Sequence, residues 1–292
     1  MSANAPVTEG VRAALEVRGR RFPWGVRTYI MGIVNATPDS FSGDGCPEPD
    51  AAIAHALAQI QAGADLVDIG AESTRPGSTP IDAGEELRRL VPVVRGVRER
   101  APEAVISIDT FKPDVFAAAR RAGGDVLNSI WGLDDALMAE AASTQAPVVI
   151  MHNKRVAVYE GDVVDEVLTF LENQANRALR AGLRREHVIL DPGIGFGKSP
   201  DENLAILASL DRLVALGFPT LLGTSRKSTL GKLTGKPVGE RAFATAATVA
   251  LAIASGIDVV RVHDVSAMSD VVAVADAVLR GRRPEGWPDS PS

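Results

Sequence analysis

Eight short apolar runs recur along the chain: Thr28–Val34, Asp65–Gly70, Ala104–Asp109, Asp125–Ile130, Pro147–His152, His187–Asp191, Pro219–Thr224 and Asp258–Val262. Nearly every position in them is apolar, where a half-exposed strand would alternate. That pattern predicts parallel strands covered on both faces. Longer segments with helical spacing lie between them. Asp50–Ala62 ends at Gly63, and Asp82–Arg100 carries Leu87, Leu90, Val91 and Val94 at helical intervals. Further helices are expected to begin at Asp134 and Asp201, where acidic first turns suit the positive end of a helix dipole. The junctions AGADLV, AGGDVL and SGIDVV each put Gly just past a helix and Asp just before a strand.

Strict alternation of strand and helix implies a parallel sheet, and eight such units imply a closed (β/α)8 TIM barrel. An open doubly wound sheet is the alternative, but no GxGxxG follows the first strand and no Walker A sequence occurs. Residues 1–27 precede the first unit and are expected to form a short extension, with LEVRGRRFPWGVR as a hairpin over the barrel's bottom. Residues 28–281 are assigned to the barrel, and 282–292 to a Pro-rich, frayed tail.

Composition narrows the function. The 292 residues are 46% hydrophobic and 23% charged, a globular balance. The net charge of −6 provides no global basic field for nucleic acid, so an anionic substrate needs a local basic site. One cysteine precludes an internal disulfide framework, and four His beside it argue against a Cys/His zinc site. The N-terminus does not read as a signal peptide. The most apolar window, Phe243–Ile257, falls short of the ~20 residues a membrane span needs and reads as a buried helix. A soluble, cytoplasmic protein without nucleic-acid or membrane partners is expected.

Barrel strands deliver functional side chains at their C-terminal ends. Those positions hold Asn35, the Glu72–Gly77 segment, Asp109, Asn128, His152, Asp191, Ser225-Arg226-Lys227, and Arg261, His263 and Asp264. Singly, each has a plain structural reading. Asp109 suits an N-cap, Asp191 a turn, Lys227 a solvated first-turn lysine and His152 a satisfied interior histidine. His55 and His187 are set aside as structural. Jointly, so many polar strand endings point to a site. Asp109, Asn128 and Asp191 offer acceptors for the N–H groups of a flat heterocycle, with Lys227 for a carbonyl or ring nitrogen. Arg75, Arg226, Arg261 and His263 offer donors for phosphate or carboxylate, and Ser225 adds a hydroxyl at a helix start.

The segments GIVNATPDSFSGDG, AESTRPG, SIDT, LNSIWG, VIMH, LDPGIGFGK, GTSRKS and VRVHD follow in this order. Together they resemble the dihydropteroate synthase family over about Thr28 to Leu279. The resemblance implies condensation of hydroxymethyl-dihydropterin diphosphate with para-aminobenzoate, by diphosphate departure and amine capture of a pterin-methyl cation. It implies that Asp109, Asn128, Asp191 and Lys227 hold the pterin. Asn35, Arg261 and His263 would hold the diphosphate, with Mg²⁺ at Asn35, and Arg226 would add to the substrate-binding set. Thr74, Arg75, Pro76, Phe196 and Ser225 would shape the aminobenzoate site. The Asn35–Gly45 loop would be a lid, with Asp39 facing the metal or the amine and Phe41 over the site. A homodimer and sensitivity to sulfonamides are also implied. Ser129 stands where the family usually has Asp, and Ser-Gly-Asp-Gly replaces Ser-Asp-Gly-Gly in the lid. The alternatives are a methyltetrahydrofolate-type methyltransferase on the same barrel and a non-catalytic pterin-binding paralogue.

Overall fold

A computed structural model describes residues 12–37, 49–73, 79–284, 286 and 287. The chain opens with an antiparallel hairpin, β1 (Leu15–Val17) and β2 (Arg20–Phe22). Its turn, Arg18-Gly19, has positive φ at both residues, the geometry that matches strand twist in a two-residue hairpin.

Eight parallel strands follow: β3 (Tyr29–Asn35), β4 (Leu66–Gly70), β5 (Val105–Asp109), β6 (Val126–Ser129), β7 (Val148–Met151), β8 (Val188–Asp191), β9 (Leu221–Leu222) and β10 (Val259–Val262). They form one sheet in the order β8-β7-β6-β5-β4-β3-β10-β9. A parallel bridge between Leu190 and Thr220 joins its two ends and closes the barrel. The expected (β/α)8 architecture is therefore present.

The helices are α1 (Pro49–Gln61), α2 (Ala83–Arg100), α3 (Pro113–Ala122), α4 (Asp135–Thr144), α5 (Val163–Arg180), α6 (Pro200–Leu207), α7 (Leu210–Val214), α8 (Ser228–Thr234), α9 (Ala242–Ala254) and α10 (Val265–Leu279). Asp82, Asp134 and Asp162 cap α2, α4 and α5 by accepting from first-turn N–H groups. The start expected at Asp201 lies earlier: Ser199 caps α6 in a reciprocal pair with Glu202. The Phe243–Ile257 window also differs from expectation. α9 buries Thr245, Thr248, Val249, Ala252 and Ile253 but leaves Phe243 87% and Leu251 62% exposed, so only one face packs inward. No helix among the described residues is long and apolar enough to cross a membrane.

The barrel interior is layered. Met31, Leu66, Val105, Val126, Val149, Ile189, Leu221 and Val259, one from each strand, fill the bottom. Leu15, Phe22, Trp24 and Tyr29 seal this layer from below. Side chains alternate along a strand, so the next inward positions are two residues on. There the chemistry changes, with Asp68 on β4, Ser107 on β5, Asn128 on β6 and Arg261 on β10.

The recurring Gly/Asp junctions acquire a physical reason at the base. Asp65, Asp125 and Asp258 accept backbone N–H groups from neighbouring strands, at Ile30 (3.0 Å), Ile106 (2.9 Å) and Thr220 (2.9 Å). Each also holds arginine from the N-terminal extension: Arg27 on Asp65, Arg18 on Asp125 and a bidentate Arg12 on Asp258. Asp258→Ala would leave Arg12 and the Gly25 and Thr220 N–H groups without their acceptor. Urea unfolding is expected to show a loss of about 3 kcal/mol. Turnover per folded molecule is expected to stay unchanged, and a matching fall in turnover would contradict the separation of base from mouth.

Candidate active site

The mouth of the barrel is built around one guanidinium. Arg261, pointing inward from β10, donates through Nε to Asp68 Oδ2 (2.7 Å) and through Nη2 to Asp109 Oδ2 (2.9 Å), with Nη2 also in ion-pair contact with Asp68 Oδ2 at 2.6 Å. Asn128 Nδ2 donates to the same Asp68 oxygen at 2.9 Å. Burial opposes the Arg261 charge, but the two carboxylates outweigh it and raise its pKa. Burial and the neighbouring Asp68 push the Asp109 carboxyl up, against the pull of Arg261. The other oxygen of Asp109 and Asn128 Oδ1 accept no hydrogen bond, yet neither is enclosed.

On the opposite side, Asp191 ends β8 inside an Asp-Pro-Gly turn. Its Oδ1 accepts from Gly193 N–H at 2.8 Å, and its Oδ2 is unengaged. The turn reading of Asp191 therefore accounts for one oxygen, Oδ1. Burial raises its pKa, partly offset by that N–H bond. The following loop has left-handed backbone at Gly193 and Gly195. A Cβ at Gly193 would lie 2.0 Å from His152 O, so the loop passes closer than any side chain allows. Lys198 ties the loop from within, donating to Gly193 O (3.0 Å), Phe196 O (3.1 Å) and His152 O (3.3 Å), with Nζ 2.9 Å from His152 Nδ1. Burial and the neighbouring lysines push His152 down to about 3, so it is a neutral, satisfied interior residue.

The loop presents Phe196 to Lys227. The ammonium lies 3.7 Å from the Phe196 ring centroid and donates no hydrogen bond. Lys227 is the N-cap residue of α8, not a solvated surface lysine. Burial, then the Arg261 charge, push its pKa down to about 7 against the opposing pull of Asp191 and Asp109. Arg241 fixes the backbone beneath it, donating to Arg226 O (3.0 Å) and Lys227 O (3.2 Å).

His263 and Ser225 form a second unit beside Arg261. Ser225 Oγ accepts from His263 N–H at 3.1 Å and lies 2.9 Å from His263 Nδ1. If the hydroxyl donates to Nδ1, the imidazole keeps its proton on Nε2. Burial and the nearby Arg226 and Arg261 push His263 down to about 3, so it is a neutral N–H donor at working pH. Arg226 has φ 58 and pairs with Asp264 at 2.5 Å, so its charge is already matched within the chain. Asn35 ends β3, with its amide unengaged among the described residues.

Asp109, Asn128, Asp191, Phe196, Lys227 and Arg261 therefore line one pocket, with His263 and Ser225 at its side. Asp39, Phe41, Thr74, Arg75, Pro76 and the Gly43-Asp44-Gly45 segment lie outside the described residues. Ser129 does not face this pocket: strand alternation turns it away from Asn128, and its Oγ donates to Gly132 O at 2.6 Å. Three contributors escaped the sequence reading: Asp68, Lys198 and Arg241. Asp68 had one signal, a carboxylate within an apolar strand at the same parity as Leu66.

The barrel and its polar mouth define an enzyme class that known proteins identify. The family described as pterin-binding enzymes matches residues 31–263, from the first barrel strand to His263. The dihydropteroate synthase of Synechocystis is 43% identical over 270 residues, covering 89% of this chain and 93% of its own length. Among solved structures, the Clostridium difficile dihydropteroate synthase, determined in the presence of pteroic acid, has a TM-score of 0.85 and 42% identity, covering 89% of this chain and 99% of that one. The Xanthomonas albilineans enzyme with 4-aminobenzoic acid has a TM-score of 0.87 and 42% identity, covering 91% and 98%. The chain belongs to the pterin-binding enzyme family, on its dihydropteroate synthase branch.

The Lys227 environment predicts a pH signature. A lysine lowered from 10.5 to about 7 on folding makes the unfolded chain bind the extra proton between those values, so stability rises with pH there. Lys227→Met removes this dependence. Its stability advantage over the parent is expected to be largest below pH 7 and to close toward pH 10.5. Urea titrations across that range test it, and a pH-independent difference would contradict a desolvated Lys227.

Proposed function

We propose that the chain condenses hydroxymethyl-dihydropterin diphosphate with para-aminobenzoate, giving dihydropteroate and pyrophosphate. The observation that carries this reading is the pattern of unengaged atoms at the mouth. The acceptors Asp109 and Asp191 lie close enough to act on the Lys227 charge, and Asn128, the register partner of Asp109 on the neighbouring strand, presents its amide beside Asp68. A pterin's amino and ring N–H groups complement the acceptors, and its carbonyl or ring nitrogen complements the lysine. Burial shifts Asp109 and Asp191 up and Lys227 down, each toward its neutral form, and a ligand that hydrogen-bonds these groups replaces the water they lack.

Arg261 and the neutral His263 N–H would then face the diphosphate, where departure develops negative charge. Asp109 and Asp191 favour the cation that remains on the pterin methyl carbon. Phe196, beneath Lys227, closes one wall against water. The amine of para-aminobenzoate is nucleophilic as it stands, so no general base is required. Mg²⁺ suits this arrangement, since it binds through one or two protein oxygens plus phosphates and water, and Asn35 offers such an oxygen at the end of β3. Bound there, Mg²⁺ would supply neutralisation of the leaving diphosphate. Asp39, Thr74, Arg75 and Pro76 enter the reading by resemblance alone.

A homodimer and a cytoplasmic location complete the reading. α9 packs on α10, and their outer surfaces expose Phe243, Leu251, Val274 and Val278. A second copy covering this face would bury an apolar patch that water otherwise meets. The one-cysteine composition suits a reducing compartment.

Purified protein is expected to form dihydropteroate from the two substrates with Mg²⁺, to stop on chelation, and to lose about 100-fold or more in kcat/KM in Lys227→Ala. Sulfonamides are expected to compete with para-aminobenzoate. A folded protein that binds the pterin diphosphate but makes no product would sink the catalytic reading. Leu251→Glu is expected to shift sedimentation from dimer to monomer, and a monomeric parent would remove the dimer proposal.

A further inference from the structure

We propose that Asp68 is a positioning residue that sets the hydrogen-bond polarity of the pterin pocket. The inference rests on the reading of Asn128 and Arg261 as pocket residues. Asp68 is 0% exposed in the middle of β4, one layer below the mouth. A side-chain amide is nearly symmetric in shape, so an asparagine can offer a pocket either its oxygen or its NH₂. Here the Asn128 side chain has one hydrogen bond among the described residues, from Nδ2 to Asp68 Oδ2 at 2.9 Å. A carboxylate only accepts, so the NH₂ must face Asp68 and Oδ1 must face the pocket. No other described residue fixes that choice.

The same oxygen orients the guanidinium. Arg261 Nε donates to Asp68 Oδ2, and Nη2, in ion-pair contact with the same oxygen, donates to Asp109. Among the described residues Nη1 has no partner and is not enclosed, which leaves it for a ligand. One buried carboxylate thus presents one acceptor, Asn128 Oδ1, and one donor, Arg261 Nη1, to the mouth. The arrangement is not what packing alone would select. Asp68 Oδ1 and the hydroxyl of its register partner Ser107 are both enclosed without a hydrogen bond, in a barrel whose layer below is wholly apolar. A buried carboxylate half unsatisfied fits a demand from the pocket above it.

A double-mutant cycle tests this, with binding of 6-hydroxymethyl-7,8-dihydropterin followed by calorimetry. Asp68→Ala and Asn128→Ala are each expected to weaken binding about 10-fold, and the double variant to be no weaker than the worse single. The KM for para-aminobenzoate is expected to stay within about two-fold. Asp68→Asn can turn either an oxygen or an NH₂ toward Asn128, so it is expected to recover only part of the affinity. Losses that multiply in the double variant, or unchanged binding in Asp68→Ala, would overturn the proposal. Unchanged binding in Asn128→Ala would instead overturn the pocket reading on which it rests. The Asn128 side-chain amide signal needs no variant at position 68. In the ligand-free protein, one Nδ2 proton shifted downfield and slow to exchange supports the proposal, and two freely exchanging protons overturn it.

Discussion

A guanidinium held inside a barrel between carboxylates of two adjacent strands is the constraint from which the rest of the mouth follows. Arg261 and Asp109 are half-buried and Asp68 fully buried, and the pair geometry couples β10 to β4 and β5 across the interior. An isolated charge at that depth would be strongly unfavourable. Once it is present, the neighbouring positions are no longer independent. Asp109 is raised by burial and by Asp68 yet restrained by Arg261, while Arg261 helps to lower Lys227. The cations and carboxylates of the pocket form one electrostatic unit, and replacing any of them changes the protonation balance of the others.

The barrel can carry this unit because stability and chemistry occupy different layers. The bottom layer is apolar, sealed by the β1–β2 hairpin and stapled by the junction aspartates. The top layer is held by interactions with backbone: Lys198 on two carbonyls of the loop after Asp191 and on His152 O just past β7, and Arg241 on two carbonyls below Lys227. Such contacts fix loop shape without filling the pocket, which leaves Asp109, Asn128, Asp191 and Lys227 with free hydrogen-bonding capacity.

Much of this was legible before any coordinates. All eight strands stand where the apolar runs are, because a strand buried on both faces must be apolar nearly throughout. Asp109, Asp191 and His263 were visible because each marks the point where such a run turns polar. Asp68 was not, because it interrupts a run without ending it, and only strand parity shows that it faces Arg261. Lys198 and Arg241 bond to main-chain carbonyls, a role with no side-chain partner to find in a sequence. Ser129, where the family usually has Asp, bears on local packing and not on the pocket, because adjacent positions on a strand face opposite ways and its Oγ donates to Gly132 O. The α9 window reads as a buried helix, in the core or at a dimer face, because both of its faces are apolar, and composition does not distinguish which face the chain itself covers.

The base also determines where the chain enters and leaves. Arg12 is held on Asp258, while Asp276 of α10 accepts from Thr28 and Arg280 donates to Ile257 O. Both described ends therefore lie at the pole opposite the strand ends that carry Asp109, Asp191 and Arg261. A tether, an affinity support or a fused partner attached at either end would hold the molecule with its mouth facing outward, leaving the approach of small molecules unobstructed.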